Sequence, residues 1–161
     1  MKDGYEDLYF ITLVYLNEPC VVLNSKPYYC WMMRYEHSTS GKMNINNIES
    51  LGECLKLKVQ LIEKLGINNR FPELWIRELS RRIFTVIRYV SPVKVKMKLK
   101  DRIAVIKHFG DNEVFSEKDD NEVLRRLYHV SKPDWLIYVL FKKRFYLLLY
   151  MLVTIKQRIS E

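Results

Sequence analysis

The sequence predicts an α+β fold that is mainly helical, with a short N-terminal helix and a β-hairpin followed by a helical C-terminal region. Apolar residues recur at helical spacing over most of the chain, and two short apolar or aromatic runs flank a turn that contains Pro. Only 5 Gly and 5 Pro occur in 161 residues, so long linkers are not expected. We divide the chain into residues 1–43 and 44–161.

The first region alternates helix and strand. Residues 6–16 have apolar side chains at helical spacing, and Pro19 ends that helix. The apolar run Cys20–Leu23 suits a short strand, and Pro27 belongs to the turn that follows it. The aromatic-rich run Tyr28–Met33 suits a second strand. The two strands are expected to pair as a hairpin.

Two helices open the second region. Apolar residues from Ile45 to Leu65 mark one face of a long helix, and Gly66 stands where a left-handed cap is common. The next helix begins with Pro72 in its first turn and runs to Tyr89. Its inward residues are predicted to be Leu79, Ile83, Val86 and Ile87.

The segments after the second helix are less uniform. Val93–Lys100 alternates like an edge strand, but the apolar residues after it favour drawing its second half into a helix, and both interpretations stay open. Helical patterns resume over residues 117–129 and again from Pro133 to the C-terminus.

The net charge of +8 is concentrated in the second half of the chain, where residues 81–161 hold 18 Lys and Arg against 9 Asp and Glu, a balance of +9. Such a field attracts nucleic acid, anionic lipid headgroups or phosphorylated substrates. No recognised nucleic-acid-binding motif accompanies the charge, so nucleic acid is not an expected partner.

Several classes of site lack support in the sequence. It contains no Gly-rich phosphate loop, and its 3 Cys and 3 His show no metal-binding spacing. The acidic clusters nearest to a metal-binding motif are Asp119-Asp120 and the Asp-Asn-Glu-Val sequences that begin at Asp111 and Asp120, and loop or helix-start positions explain them more simply than a metal does. No secretory leader is recognised, which predicts a cytoplasmic protein.

The stretch Trp135–Val153 is rich in aromatic and aliphatic residues and is interrupted by Lys142, Lys143 and Arg144. Each apolar run is too short to cross a bilayer, which needs roughly 20 residues. One interpretation places this stretch in the headgroup region of an anionic membrane, on the inner face of the cell membrane, with Trp135 and the three basic residues at the surface. The other docks it on the preceding helices with the basic residues in water.

The N-terminal segment resembles part of a known enzyme family. The pair Glu6-Asp7 before a helix, the following short strand, the run Lys26–Arg34 and the loop Ser38–Ser40 together resemble the second half of the catalytic domain of family 2 glycosyltransferases, which have a GT-A fold. The resemblance covers about residues 3–41. The predicted hairpin then looks like a remnant of the GT-A sheet.

The resemblance implies an inverting transfer of a sugar from a nucleotide-sugar donor to a saccharide or lipid-linked acceptor in surface polysaccharide synthesis. By that analogy Asp7 is the general base that takes the proton of the acceptor hydroxyl, and Glu6 supports it. Arg34 and His37 would lie near the departing diphosphate.

The Asp-x-Asp motif, with which the family holds a divalent cation (Mg or Mn) and the diphosphate, does not occur in the sequence. We therefore expect no metal or cofactor site in this chain. The donor site and the cation would belong to a longer parent enzyme, of which this chain would be a C-terminal part that is inactive alone.

A different interpretation of the same residues stays open. Two acids at a helix start also stabilise the unpaired N–H groups of the first turn without any chemistry. The alternative function is that of a non-catalytic basic helical module, which binds an anionic membrane surface or a partner protein.

Overall fold

The computed structural model describes residues 6–17, 45–66, 70–91, 96–116 and 120–160. The chain forms two compact units, Met1–Lys64 and Leu65–Glu161. The boundary that we predicted at residue 43 lies outside the described residues and stays a prediction.

Every regular element of the described residues is helical. The helices are α1 Glu6–Asn17, α2 Ile45–Lys64, α3 Pro72–Tyr89, α4 Leu99–Gly110, a 3-10 helix Glu113–Phe115, α5 Asn121–Val130, α6 Lys132–Lys142 and α7 Tyr146–Ser160.

The predicted α+β class is wrong for this part of the chain, because none of the described residues forms a strand. The two predicted hairpin strands, Cys20–Leu23 and Tyr28–Met33, lie outside the described residues. The remnant of a GT-A sheet is therefore not found in the part of the chain that the structure describes.

For the segment Val93–Lys100 the sequence left both a strand and a helix possible. The structure describes residues 96–100 of this segment, and the last two of them belong to a helix. Residues 96–98 are irregular and α4 begins at Leu99. The buried residues of α4 follow the helical spacing i, i+3, i+4, i+7, which explains why the helical pattern outweighs the alternation of Val and Lys. These residues are Arg102, Val105, Ile106 and Phe109.

In the first unit α1 packs against α2. Helix α2 supplies buried residues to the core of this unit: Ile48, Leu51, Cys54 and Leu55. Gly66 follows α2 with a φ of 65°, so the predicted left-handed position after this helix is confirmed.

In the second unit α3 is the central helix, because it packs against α4, α5, α6 and α7. It starts at Pro72 and ends at Tyr89, as predicted. The four residues predicted to point inward, Leu79, Ile83, Val86 and Ile87, are all buried. An ion pair fastens α3 to α6, with Arg77 Nε 3.1 Å from Asp134 Oδ2.

A buried guanidinium joins three helices of this unit. Arg102 is only 6% exposed, and its Nη1 donates to the carbonyl of Val90 at 2.5 Å and to the hydroxyl of Tyr150 at 3.3 Å. Its Nε donates to the carbonyl of Met97 at 2.8 Å. Arg102 thus links the end of α3, the residues before α4 and the middle of α7.

An aromatic cluster joins the end of α4, the 3-10 helix and the α6–α7 junction. Phe115 lies with its ring centroid 5.3 Å from that of Phe109 and 4.9 Å from that of Phe141, and Phe141 lies 5.5 Å from Tyr146. These are edge-to-face contacts, the geometry that aromatic quadrupoles favour. Burial raises the pKa of the Tyr146 phenol, an effect that Arg144 partly opposes.

The stretch after Pro133 is two helices rather than the single one that we predicted. The backbone N–H of Arg144 donates to the carbonyl of Phe141 at 2.9 Å, and the N–H of Phe145 donates to the carbonyl of Leu140 at 2.9 Å. These two hydrogen bonds are the pattern of a Schellman motif. Arg144 has a φ of 61° in the left-handed region. The polypeptide therefore turns sharply between α6 and α7, and we call Lys143 and Arg144 the basic turn.

Replacing Gly110 with Ala is expected to lower the free energy of unfolding by roughly 1 kcal/mol or more. The reason is that the new Cβ would lie 2.7 Å from Tyr146 Oη and 3.1 Å from Phe141 Cζ. Urea unfolding should be measured for Gly110→Ala in the wild-type background and in Tyr146→Phe, which lacks the nearest atom. We expect a clearly smaller penalty in the second background, and equal penalties would contradict a clash with Oη.

Replacing Arg144 with Gly is expected to raise the free energy of unfolding by about 1 kcal/mol, because Gly adopts the left-handed conformation without the cost that a Cβ imposes. The matched control is Lys143→Gly, whose backbone has a φ of −78° and gains nothing from Gly. Thermal and urea unfolding of both variants test this. A destabilised Arg144→Gly, or equal effects at the two positions, would show that the left-handed backbone is not the deciding factor.

Candidate functional site

The terminal helix α7 is apolar on two opposite faces. Successive residues of an α-helix are rotated by 100°, so residues at i, i+3, i+4 and i+7 share one face. The face that points into the second unit holds Tyr146, Leu149, Tyr150 and Val153, all of them buried. The buried face of α7 agrees with the interpretation in which this stretch docks on the preceding helices.

The opposite face of α7 is exposed. It consists of five adjacent aliphatic side chains at i, i+1, i+4, i+5 and i+8, each between 42% and 56% exposed. We call this the outer face of α7: Leu147, Leu148, Met151, Leu152 and Ile155. Phe145, which directly precedes the helix, is also exposed.

The basic turn stands at the N-terminal end of the outer face, three to four residues before Leu147 in the chain. Both Lys143 and Arg144 are exposed. Lys142 differs, because its Nζ donates to the carbonyl of Phe115 at 2.8 Å and lies 5.9 Å from the ring centroid of Tyr138. The three consecutive basic residues therefore do not form one surface.

Trp135, which we predicted with the basic residues as part of a membrane surface, lies in the first turn of α6. Its ring is half-buried and meets Tyr128 edge-to-face at a centroid distance of 5.1 Å. Lys132 Nζ lies 5.4 Å from the same Tyr128 ring. Trp135 thus contacts α5 at one end of α6, while the basic turn follows the other end.

The residues predicted from the glycosyltransferase resemblance are not brought into a describable site. Glu6 and Asp7 form the start of α1, as the sequence predicts, but their side chains lie outside the described residues. Arg34 and His37 lie in residues 18–44, which the structure does not describe. The assignment of Asp7 as a general base stays a prediction.

The acidic clusters have structural roles where they are described. Asp120 caps α5 by accepting a hydrogen bond from the N–H of Glu122 at 2.8 Å, and Asp111 is the C-cap residue of α4. Within the described ranges, no group of three or more His, Cys, Asp or Glu could hold a metal ion.

A second exposed apolar face lies on α1, where Phe10, Ile11, Val14 and Tyr15 are exposed. The outer face of α7 and this face of α1 have the same signature in the sequence: each helix has more apolar residues than one buried stripe along a helix requires. We read that excess in α1 only as helix-forming periodicity. Helix α1 carries no basic residue, so it lacks the combination that distinguishes α7.

Among the described residues, no helix combines the length and the apolarity that crossing a bilayer requires. With its 15 residues α7 is roughly 22 Å long, while the hydrocarbon core of a bilayer is about 30 Å thick.

The chain was compared with protein-family models, with curated proteins and with solved structures, and none of the three comparisons found a match.

Proposed function

We propose that this protein binds the surface of a lipid bilayer through the outer face of α7, which lies in the plane of the membrane. The observation that carries the proposal is that α7 buries one apolar face in its own unit and leaves a second apolar face exposed. A helix with apolar residues all round is expected to be buried on all sides. Lipid would complete that burial.

The exposed residues of α7 are contiguous, which distinguishes them from ordinary surface side chains. Single exposed aliphatic residues are common on folded proteins and need no explanation. Five that adjoin on one helix face form a patch with an apolar area on the order of 400 Å². The largest apolar patch on a typical monomeric protein covers about 300–600 Å² and is often functional, so the outer face is a candidate interaction surface.

The basic turn beside the patch favours lipid over a protein partner. Area alone does not decide between them, because the roughly 800 Å² that each partner buries in a standard protein–protein interface includes only about 450 Å² of apolar surface, close to what the outer face offers. Lys is depleted at such interfaces, whereas apolar side chains with basic residues beside them are typical of a helix at a membrane surface. In that setting the apolar side chains enter the boundary between headgroups and acyl chains, so we place α7 along the surface.

Replacing Leu148 with Gln is expected to weaken binding to lipid vesicles by roughly ten-fold. Moving the exposed part of a leucine side chain from water into the membrane interface is favourable by about 1 kcal/mol, and a Gln side chain would lose this gain and add the cost of burying its amide. The measurement is co-sedimentation with unilamellar vesicles over a range of lipid concentrations. The matched control is Leu74→Gln on α3: Leu74 is 45% exposed and Leu148 is 44% exposed.

Leu74→Gln should bind vesicles as the wild type does, and both variants should unfold at similar urea concentrations. Two results would overturn the proposal: a wild-type protein that does not bind vesicles, or equal losses of binding in the two variants.

A further inference from the structure

We infer that the basic turn, Lys143 and Arg144, makes the membrane contact of α7 selective for lipids with anionic headgroups. This inference rests on the proposed function, since it assigns the lipid class that the same surface recognises. It goes beyond the overall charge of the chain, because it places the selectivity in two residues at one end of the outer face.

The first step is the position of the two side chains. Lys143 and Arg144 are exposed, and Phe145 and Leu147, the next exposed residues along the chain, are apolar. The change from cationic to apolar surface thus occurs within four residues. In a bilayer the same change occurs between the headgroups and the acyl chains, so a helix lying at that boundary holds the basic turn at headgroup level.

The second step is the hydrogen bonding of the turn. The N–H groups of Arg144 and Phe145 are bonded to the end of α6, so the direction in which the chain leaves that helix is fixed. Lys142 is held against Phe115 and Tyr138 instead. Of the three consecutive basic residues, only the last two are available to an external surface.

The third step is the chemistry of the ligand. Neutral and anionic phospholipids both carry a phosphate with which a guanidinium can pair, so the preference for anionic vesicles comes from their net negative charge, which attracts both cations of the basic turn. Each basic residue near an anionic lipid surface strengthens binding by about five-fold at moderate salt. The two residues together are expected to give roughly a 30-fold preference for anionic over neutral vesicles.

The experiment compares vesicles of phosphatidylcholine alone with vesicles that contain roughly 30% phosphatidylserine, whose headgroups give the surface a negative potential. The test variant is Lys143→Gln with Arg144→Gly, in which the second substitution removes charge and also relieves the left-handed backbone. The matched control is Arg81→Gln with Arg125→Gln, two exposed arginines on α3 and α5 whose replacement changes the net charge equally.

We expect the test variant to lose most of the preference for anionic vesicles and to keep the wild-type affinity for neutral ones, while the control retains the preference. A test variant that keeps the full preference would overturn the inference. So would an equal loss in the control, because selectivity would then follow the net charge rather than the position of the basic turn.

The design separates the two proposals. If the wild type binds both vesicle types equally and Leu148→Gln weakens both, the proposed function stands and the selectivity of the basic turn is refuted. If the wild type binds neither vesicle type, both are refuted. Raising the salt concentration should reduce the preference of the wild type for anionic vesicles and leave neutral binding unchanged.

Discussion

The second unit depends on the burial of one charged side chain. A guanidinium taken out of water is tolerated only when its N–H groups find acceptors, and Arg102 finds them on the carbonyls of Val90 and Met97 and on the Tyr150 hydroxyl. Those three acceptors fix where α3 ends, where α4 begins and which side of α7 points inward. Once Tyr150 faces the core, the helical period places Leu147, Leu148, Met151, Leu152 and Ile155 on the opposite side. The exposed outer face is therefore a consequence of the packing of Arg102 and does not reflect a loosely placed terminal helix.

The aromatic cluster fixes the same helix at its start. Phe141 lies in the last turn of α6 and Tyr146 is the first residue of α7. Their ring centroids are 5.5 Å apart across the Schellman turn. The close approach of Gly110 leaves no room for a Cβ between them. With Tyr146 held by the cluster and Tyr150 by Arg102, α7 is fixed at two points one turn apart. A helix fixed in this way can present its free face without rearrangement.

The ends of a helix could be predicted from the sequence where a nearby Pro or Gly marks them. Pro72 at a first turn and Gly66 after a long apolar stripe gave the limits of α2 and α3 closely. The break between α6 and α7 was missed because its left-handed residue is Arg144, where a Gly or Asn would have signalled a helix end. Arg102 was missed because a pattern treats arginine as a surface residue, and only the tertiary structure supplies its acceptors. For Val93–Lys100 the sequence left a strand and a helix open, and at the described end of the segment the structure has the start of α4.

The composition of the outer face remains to be explained by something other than folding. The buried face of α7 already provides Tyr146, Leu149, Tyr150 and Val153 to the core, and the helix would dock equally well with polar residues on its other side. Polar residues there would also favour solubility, since exposed aliphatic patches promote association. Five aliphatic residues at positions that the fold leaves free, next to two exposed cations, are thus most simply explained by a surface that is itself apolar inside and anionic outside. A bilayer with anionic headgroups has that layered chemistry, and in the proposed orientation the basic turn would lie among the headgroups while the outer face of α7 meets the acyl chains.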